Sequence, residues 1–128
     1  MIDKRIAVVI LNWNGAKLLE QFLPSIIAYS DEAKIYVADN ASSDNSIAFI
    51  KEKYPTITII KNDCNYGFAK GYNLALEQVE EEYYALVNSD IEVTKNWLTP
   101  ILTIFDTEAK IGIIQPKIVD YKNKEYFE

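Results

Sequence analysis

The chain has 128 residues, 49% of them hydrophobic and 25% charged, which suits one soluble globular domain and excludes a disordered chain. It carries no histidine and one cysteine, Cys64, so Ser-His or Cys-His nucleophilic catalysis, imidazole metal sites and an internal disulfide are excluded within it. A net charge of -6 without a basic cluster argues against nucleic acid as the main partner, and an anionic phosphate ligand would need a divalent cation, helix N-termini or a lone lysine.

Met1-Ile2-Asp3-Lys4-Arg5 runs straight into a strand-like stretch with no signal-peptide pattern. No apolar run approaches the roughly 18 residues of a membrane span. Together with the single cysteine, this leads to a cytoplasmic expectation. Ile6-Ala7-Val8-Val9-Ile10-Leu11 is continuously apolar, as in a central parallel strand covered on both faces. It ends in the turn cluster Asn12-Trp13-Asn14-Gly15. Trp13 admits two readings, packing at a strand end or a flat wall for a nucleobase. Leu18, Leu19, Phe22, Leu23, Ile26 and Ile27 recur at helical spacing between Ala16 and Tyr29. Pro24 falls inside that pattern and predicts a kink or a split.

A second strand is expected over Ile35-Tyr36-Val37-Ala38, followed by the polar run from Asp39 to Ser46. Ser42 or Ser43 is a natural N-cap, and Asp44 suits the positive end of the helix that Ile47, Ile50 and Tyr54 outline. Asp39 lies at the strand's carboxyl end, ahead of any cap, where a carboxylate can accept an N–H from a base edge. Thr56 to Lys61 reads as a third strand. Beyond the loop Asn62–Gly67, in which Cys64 reads as a small loop residue, Phe68 to Val79 shows helical spacing. Gly71 within it implies close approach of the sheet or a ligand, since glycine costs about 1 kcal/mol there relative to alanine. Lys70 in the first turn is either a solvated lysine or part of an anion seat.

Glu80-Glu81-Glu82 reads as a solvated acidic turn. Tyr83 to Val87 then forms a buried strand that delivers Asn88-Ser89-Asp90 to its carboxyl end. Such residues are ordinary turn formers, but ligands also gather beyond strand ends in open α/β sheets. Thr94 is a candidate N-cap for a helix from Lys95 to Phe105, with Pro100 marking a bend or a short first turn. Ile111-Gly112-Ile113-Ile114 is expected as a fifth strand, and Ile118-Val119 as the start of another. The alternation β-α-β-α-β-α-β-α-β implies an α/β fold with a mostly parallel sheet, right-handed crossovers and helices on both faces.

Four loops together resemble family-2 glycosyltransferases, in particular the bacterial rhamnosyltransferase-like branch. They are Leu11-Asn12-Trp13-Asn14-Gly15, Asp39-Asn40-Ala41-Ser42-Ser43-Asp44, Asn65-Tyr66-Gly67-Phe68-Ala69-Lys70-Gly71-Tyr72-Asn73 and Asn88-Ser89-Asp90, and the likeness extends from Ile6 to about Val119. It implies a GT-A fold whose Rossmann-like half, residues 1–128, binds the sugar nucleotide. It implies that Asp39 contacts a uracil or thymine base beside Asn12 and Trp13, with Asp44, Lys70, Asn73, Asn88 and Ser89 also at the nucleotide. It implies that Asp90 ligates Mg²⁺ or Mn²⁺ bridging the donor diphosphate. In the usual DxD motif the first position is an acid, and here it is Asn88. Where many relatives carry arginine before the residue matching Asn73, this chain has Tyr72. The implied activity is sugar transfer, with inversion, from a UDP- or dTDP-type donor to a glycan or lipid-linked acceptor in polysaccharide biosynthesis. The implied location extends to the inner face of a membrane. The acceptor half and its general base are expected beyond residue 128, and a sheet edge left open would favour a homo-oligomer. Glu92, Asp106 and Asp120 read as surface carboxylates. The alternative is a non-catalytic nucleotide-binding or interaction module. A dinucleotide oxidoreductase is disfavoured by the lack of G-x-G-x-x-G after the first strand.

Overall fold

The computed structural model describes residues 4–127. Met1, Ile2 and Asp3, part of the stretch read as free of a leader pattern, lie outside the described residues, as does Glu128 at the end of the charged tail. The chain divides into two compact units, Met1–Lys95 and Asn96–Glu128.

The first unit holds β1 (Ile6–Asn12), α1 (Ala16–Tyr29), β2 (Ala33–Asp39), α2 (Ser46–Lys53), β3 (Thr58–Lys61), α3 (Gly67–Leu76) and β4 (Tyr83–Asn88). Its four strands are parallel in the order β3-β2-β1-β4. β1 is therefore central, and its apolar run is buried from Ile6 to Ile10 as the sequence demands. The crossovers from β1 to β2 and from β2 to β3 run in one direction, which under the usual right-handed rule puts α1 and α2 on one face of the sheet, and the two helices contact each other. The step from β3 back past β1 to β4 reverses direction and puts α3 on the opposite face. There Tyr72, Ala75 and Val79 pack with Ala7, Val9, Tyr36, Ala38 and Ile60. The reversal makes the carboxyl ends of β1 and β4 a topological switch point, the usual place for a ligand in such sheets.

Several local expectations are corrected. β4 is an edge strand, not a buried one, and alternate residues Tyr84, Leu86 and Asn88 are exposed. α1 is one continuous helix through Pro24, which lies on its exposed face where water can serve the carbonyl freed by the missing N–H. Neither Ser42 nor Ser43 caps α2, which starts at Ser46. α3 stops at Leu76, although Val79 remains buried. Glu81 is not solvated: it accepts the Tyr36 hydroxyl at 2.9 Å and pairs with Lys34 at 3.5 Å.

The second unit holds α4 (Thr99–Thr107), which starts later than expected. Thr94 therefore does not cap it, and Pro100 occupies its first turn, where a missing N–H costs nothing. The fifth strand does not form among the described residues. Ile113 is 91% exposed, and the pairing present is an isolated antiparallel bridge between Val119 and Phe127. An apolar run becomes a strand only with a neighbour to complete its ladder, and this unit supplies none to Ile111–Ile114.

Candidate functional site

Register alone gathers three of the four loops. Asn12 pairs with Asp39 across β1 and β2, and Leu11 pairs with Asn88 across β1 and β4. Backbone bonds extend past the strand ends, from Asn40 N–H to Asn12 O and from Asn62 N–H to Asp39 O, both 2.8 Å. Asp39 and Asp90 thus belong to loops leaving the same end of one sheet.

At its centre is a buried polar network. The Asn12 amide donates to Asp39 Oδ1 (2.8 Å), Ser46 Oγ (3.0 Å) and Ser42 Oγ (3.1 Å). Ser42 Oγ donates to Asp39 Oδ1 at 2.6 Å, and the Ser42 N–H donates to Asp39 Oδ2 at 3.0 Å. Asp39 is only 3% exposed, and both its oxygens bond within the loops. Any contact with a base edge adds to bonds already made. The side-chain oxygen of Asn12, Oδ1, is buried without a hydrogen-bond partner. A Cβ on Gly15 would lie 2.4 Å from that oxygen and 3.9 Å from Ser89 Oγ, so the absence of a side chain at Gly15 lets the loops of β1 and β4 close together.

Asn14 staples the next layer. Its backbone is left-handed (φ 50), and its side-chain oxygen accepts the N–H groups of Ser43 (2.7 Å) and Asp44 (3.2 Å). Asp44 accepts the first N–H of α1 from Ala16 at 3.0 Å and that of α2 from Ser46 at 3.0 Å, as well as the Ser46 hydroxyl. Burial acts to raise the Asp44 pKa, but the Ser46 hydroxyl and these backbone donors outweigh it and hold the carboxyl below its ordinary value. Asp44 therefore serves two helix N-termini. Trp13, between these fixed residues, is 58% exposed, so its ring is not core packing.

The third loop is joined by asparagines. Asn62 donates to Asn40 Oδ1 at 2.7 Å, and Asn40 donates to Gly67 O at 3.0 Å. On α3, Lys70 and Asn73 are both exposed and three residues apart, hence on one face. The Lys70 ammonium sits 4.3 Å from the centre of the Tyr66 ring. Tyr72 is not a stand-in for a cationic phosphate contact: it is buried beneath the sheet end, and burial pushes its pKa up. The structure brings Asn12, Trp13, Asp39, Asp44 and the Asn88-Ser89-Asp90 loop to the switch point. Asn14, Asn40, Ser42, Ser46 and Asn62 also build it. Their signal was in plain view, as polar residues clustered at the ends of apolar strands, but which of them bond one another depends on register.

Among the described residues, no group of three or more Asp, Glu, Cys or His gathers to hold a metal ion. A protein-only cage is therefore not the fit. Asn88 and Asp90 are exposed with Ser89 between them. One carboxylate beside an amide and a hydroxyl suits a hard cation that keeps waters and shares its ligands with a substrate diphosphate.

The chain is similar to several known proteins. A rhamnosyltransferase of Mycobacterium tuberculosis, an N-acetylglucosaminyl-diphospho-decaprenol L-rhamnosyltransferase, is 21% identical over 93% of this chain and 43% of its own length. An uncharacterized glycosyltransferase of Nostoc sp. is 26% identical over 94% of this chain and 39% of its own length. The chain thus spans well under half of each of these relatives. Among solved structures, the mannosyltransferase PcManGT from Pyrobaculum calidifontis, in complex with GDP-Man and Mn²⁺, superposes with a TM-score of 0.73 at 22% identity, covering 84% of this chain and 34% of that one. S. aureus TarS 1-349 in complex with UDP-GlcNAc gives 0.73 at 20% identity, covering 91% and 38%. These likenesses establish the GT-A fold. The family model for glycosyl transferase family 2 matches residues 7–128, nearly the whole chain, and the chain belongs to that family.

Proposed function

We propose that residues 1–128 are the donor-binding part of a glycosyltransferase that takes a UDP- or dTDP-type sugar nucleotide and passes the sugar, with inversion, to a glycan or lipid-linked acceptor. The observation that supports this best is the convergence at the switch point, with Asn12 in register with Asp39 and Leu11 with Asn88. Asp39 and Asn12 meet the base edge, the exposed Trp13 ring lies against the base face, and Asp44 holds the surrounding loops. Lys70 and Asn73 lie toward the phosphates with Asn88 and Ser89. Asp90 would hold Mg²⁺ or Mn²⁺ together with the diphosphate. When bound, the ion supplies positive charge where the departing diphosphate gathers negative charge. In the transfer, an acceptor oxygen bonds to the anomeric carbon as the bond to the diphosphate oxygen breaks. The electron pair leaves with the nucleoside diphosphate, and the acceptor proton passes to a general base. The neighbours solved in complex with UDP-GlcNAc or with GDP-Man and Mn²⁺ support this choice of ligand class.

Calorimetric titration of UDP and dTDP, with and without Mn²⁺, tests it. The parent chain is expected to bind more tightly with metal, and Asp90→Ala is expected to lose that increment, about tenfold or more, since one charge-assisted contact contributes about 1.5–3 kcal/mol. Equal affinity of parent and variant in Mn²⁺ would remove the metal role. No binding by either would remove the donor site. Unchanged nucleotide binding without any metal dependence would favour a non-catalytic nucleotide-binding module.

A further inference from the structure

Tyr72 is unused by the site as described, yet it is only 3% exposed and its hydroxyl is hydrogen-bonded at both ends. It donates to the carbonyl of Val87 at 3.0 Å and accepts the N–H of Leu11 at 3.4 Å. These two backbone groups belong to neighbouring strands, where Leu11 of β1 is in register with Asn88 of β4. The Val87 carbonyl is part of the planar peptide that leads into Asn88, so holding that oxygen fixes the plane from which Asn88-Ser89-Asp90 departs. β4 is paired on one side only, so the end of this strand has fewer constraints than the end of β1. The phenol ring meanwhile packs in the core with Ala7, Val9 and Ala75, and Phe68 meets it edge-on at 5.0 Å.

We infer that Tyr72 is a positioning residue: its hydroxyl bolts the carboxyl end of β4 to β1 and to α3, and so sets the direction in which the acid-bearing loop leaves the sheet. The inference rests on the proposed metal role of Asp90. It also explains why a buried tyrosine suits this place. A phenylalanine would fill the same volume but remove the hydroxyl that bridges the Val87 carbonyl and the Leu11 N–H, a loss that falls on the exit of the loop rather than on the core. The same helix presents Lys70 and Asn73 on its exposed face, so one rigid element links the proposed phosphate contacts to the metal loop.

The experiment is Tyr72→Phe in the same chain, with Tyr84→Phe, an exposed tyrosine of β4, as the control for losing a hydroxyl. UDP affinity is measured with and without Mn²⁺, and amide hydrogen exchange is followed at Leu11 and from Asn88 to Asp90. Tyr72→Phe is expected to keep metal-free affinity within about twofold of the parent, to lose about fivefold or more of the metal-driven tightening, and to exchange those amides faster. Tyr84→Phe is expected to match the parent. Full metal-driven tightening in Tyr72→Phe overturns the inference and leaves the donor reading standing. A parent chain with no metal-driven tightening overturns the reading of Asp90, and the exchange data then decide the bolt alone: unchanged protection at Leu11 and Asn88 overturns it.

Discussion

Replacing Gly71 with alanine ought to help a helix, by about 1 kcal/mol on propensity, and is expected to harm this protein. A Cβ there would lie 2.7 Å from Asn40 Nδ2, 2.9 Å from Asn40 Oδ1 and 3.1 Å from Leu11 Cδ1. Asn40 cannot yield, because Asn62 and Gly67 hold both ends of its amide. The crowding is expected to outweigh propensity and give a net loss of about 1–3 kcal/mol in a urea unfolding titration. In an Asn40→Ala background the same substitution is expected to cost little, and equal cost in both backgrounds would refute the collision. The sequence announced that something approaches Gly71 but left open whether it was sheet or ligand. The answer is the sheet, through Leu11 of β1, together with a loop side chain, Asn40, fixed by a hydrogen bond to a residue 22 positions away in the chain, and no local pattern carries that distance. Asp39 teaches the same lesson. Its position at a strand end was readable, whereas its bonds to Asn12 and Ser42 follow only from the pairing of β1 with β2.

At the scale of elements, Asp44 joins α1 to α2. The sequence reading gave it one helix dipole and gave the cap to Ser42 or Ser43. The structure gives it the first N–H groups of two helices and sends Ser42 into the network with Asp39. Periodicity locates helices well, but it cannot say which of several adjacent polar residues turns toward a second helix whose position depends on the sheet. Asp44→Ala is expected to cost about 1–2 kcal/mol, the upper part of the range for losing a cap, since two termini lose their acceptor. The pH dependence follows from the direction of the shift. The folded pKa is depressed below the ordinary 3.8, so the stabilisation is complete above that value, declines as pH falls through it toward the lower folded pKa, and is gone below both. Urea midpoints measured from neutral pH down through this window are expected to fall more steeply for the parent than for Asp44→Asn. Parallel curves would show that Asp44 contributes no charge-dependent stability.

For the molecule as a whole, the parallel sheet, its helices and the gathering of loops at one end were readable because each strand carries an apolar stretch that gives way to polar residues at its carboxyl end. What the sequence could not show was which strands would stand at the edges. The apolar content of β4 points to burial, yet among the described residues it pairs with β1 alone and exposes Tyr84 and Leu86 on one face. An apolar run signals burial by something, not burial by this chain, which spans 39% to 43% of the relatives' length. An edge strand with unpaired backbone groups and two large exposed apolar side chains is a template for pairing with another chain. The chain is therefore expected to self-associate as its concentration rises, in a light-scattering series at constant ionic strength. Leu86→Lys places a charge on the open face of that strand and is expected to shift the species toward monomer, leaving UDP binding at the other loops unchanged. A parent chain that stays monomeric at the highest concentration reached would mean that this edge is protected, and the exposed Tyr84 and Leu86 would then need another explanation.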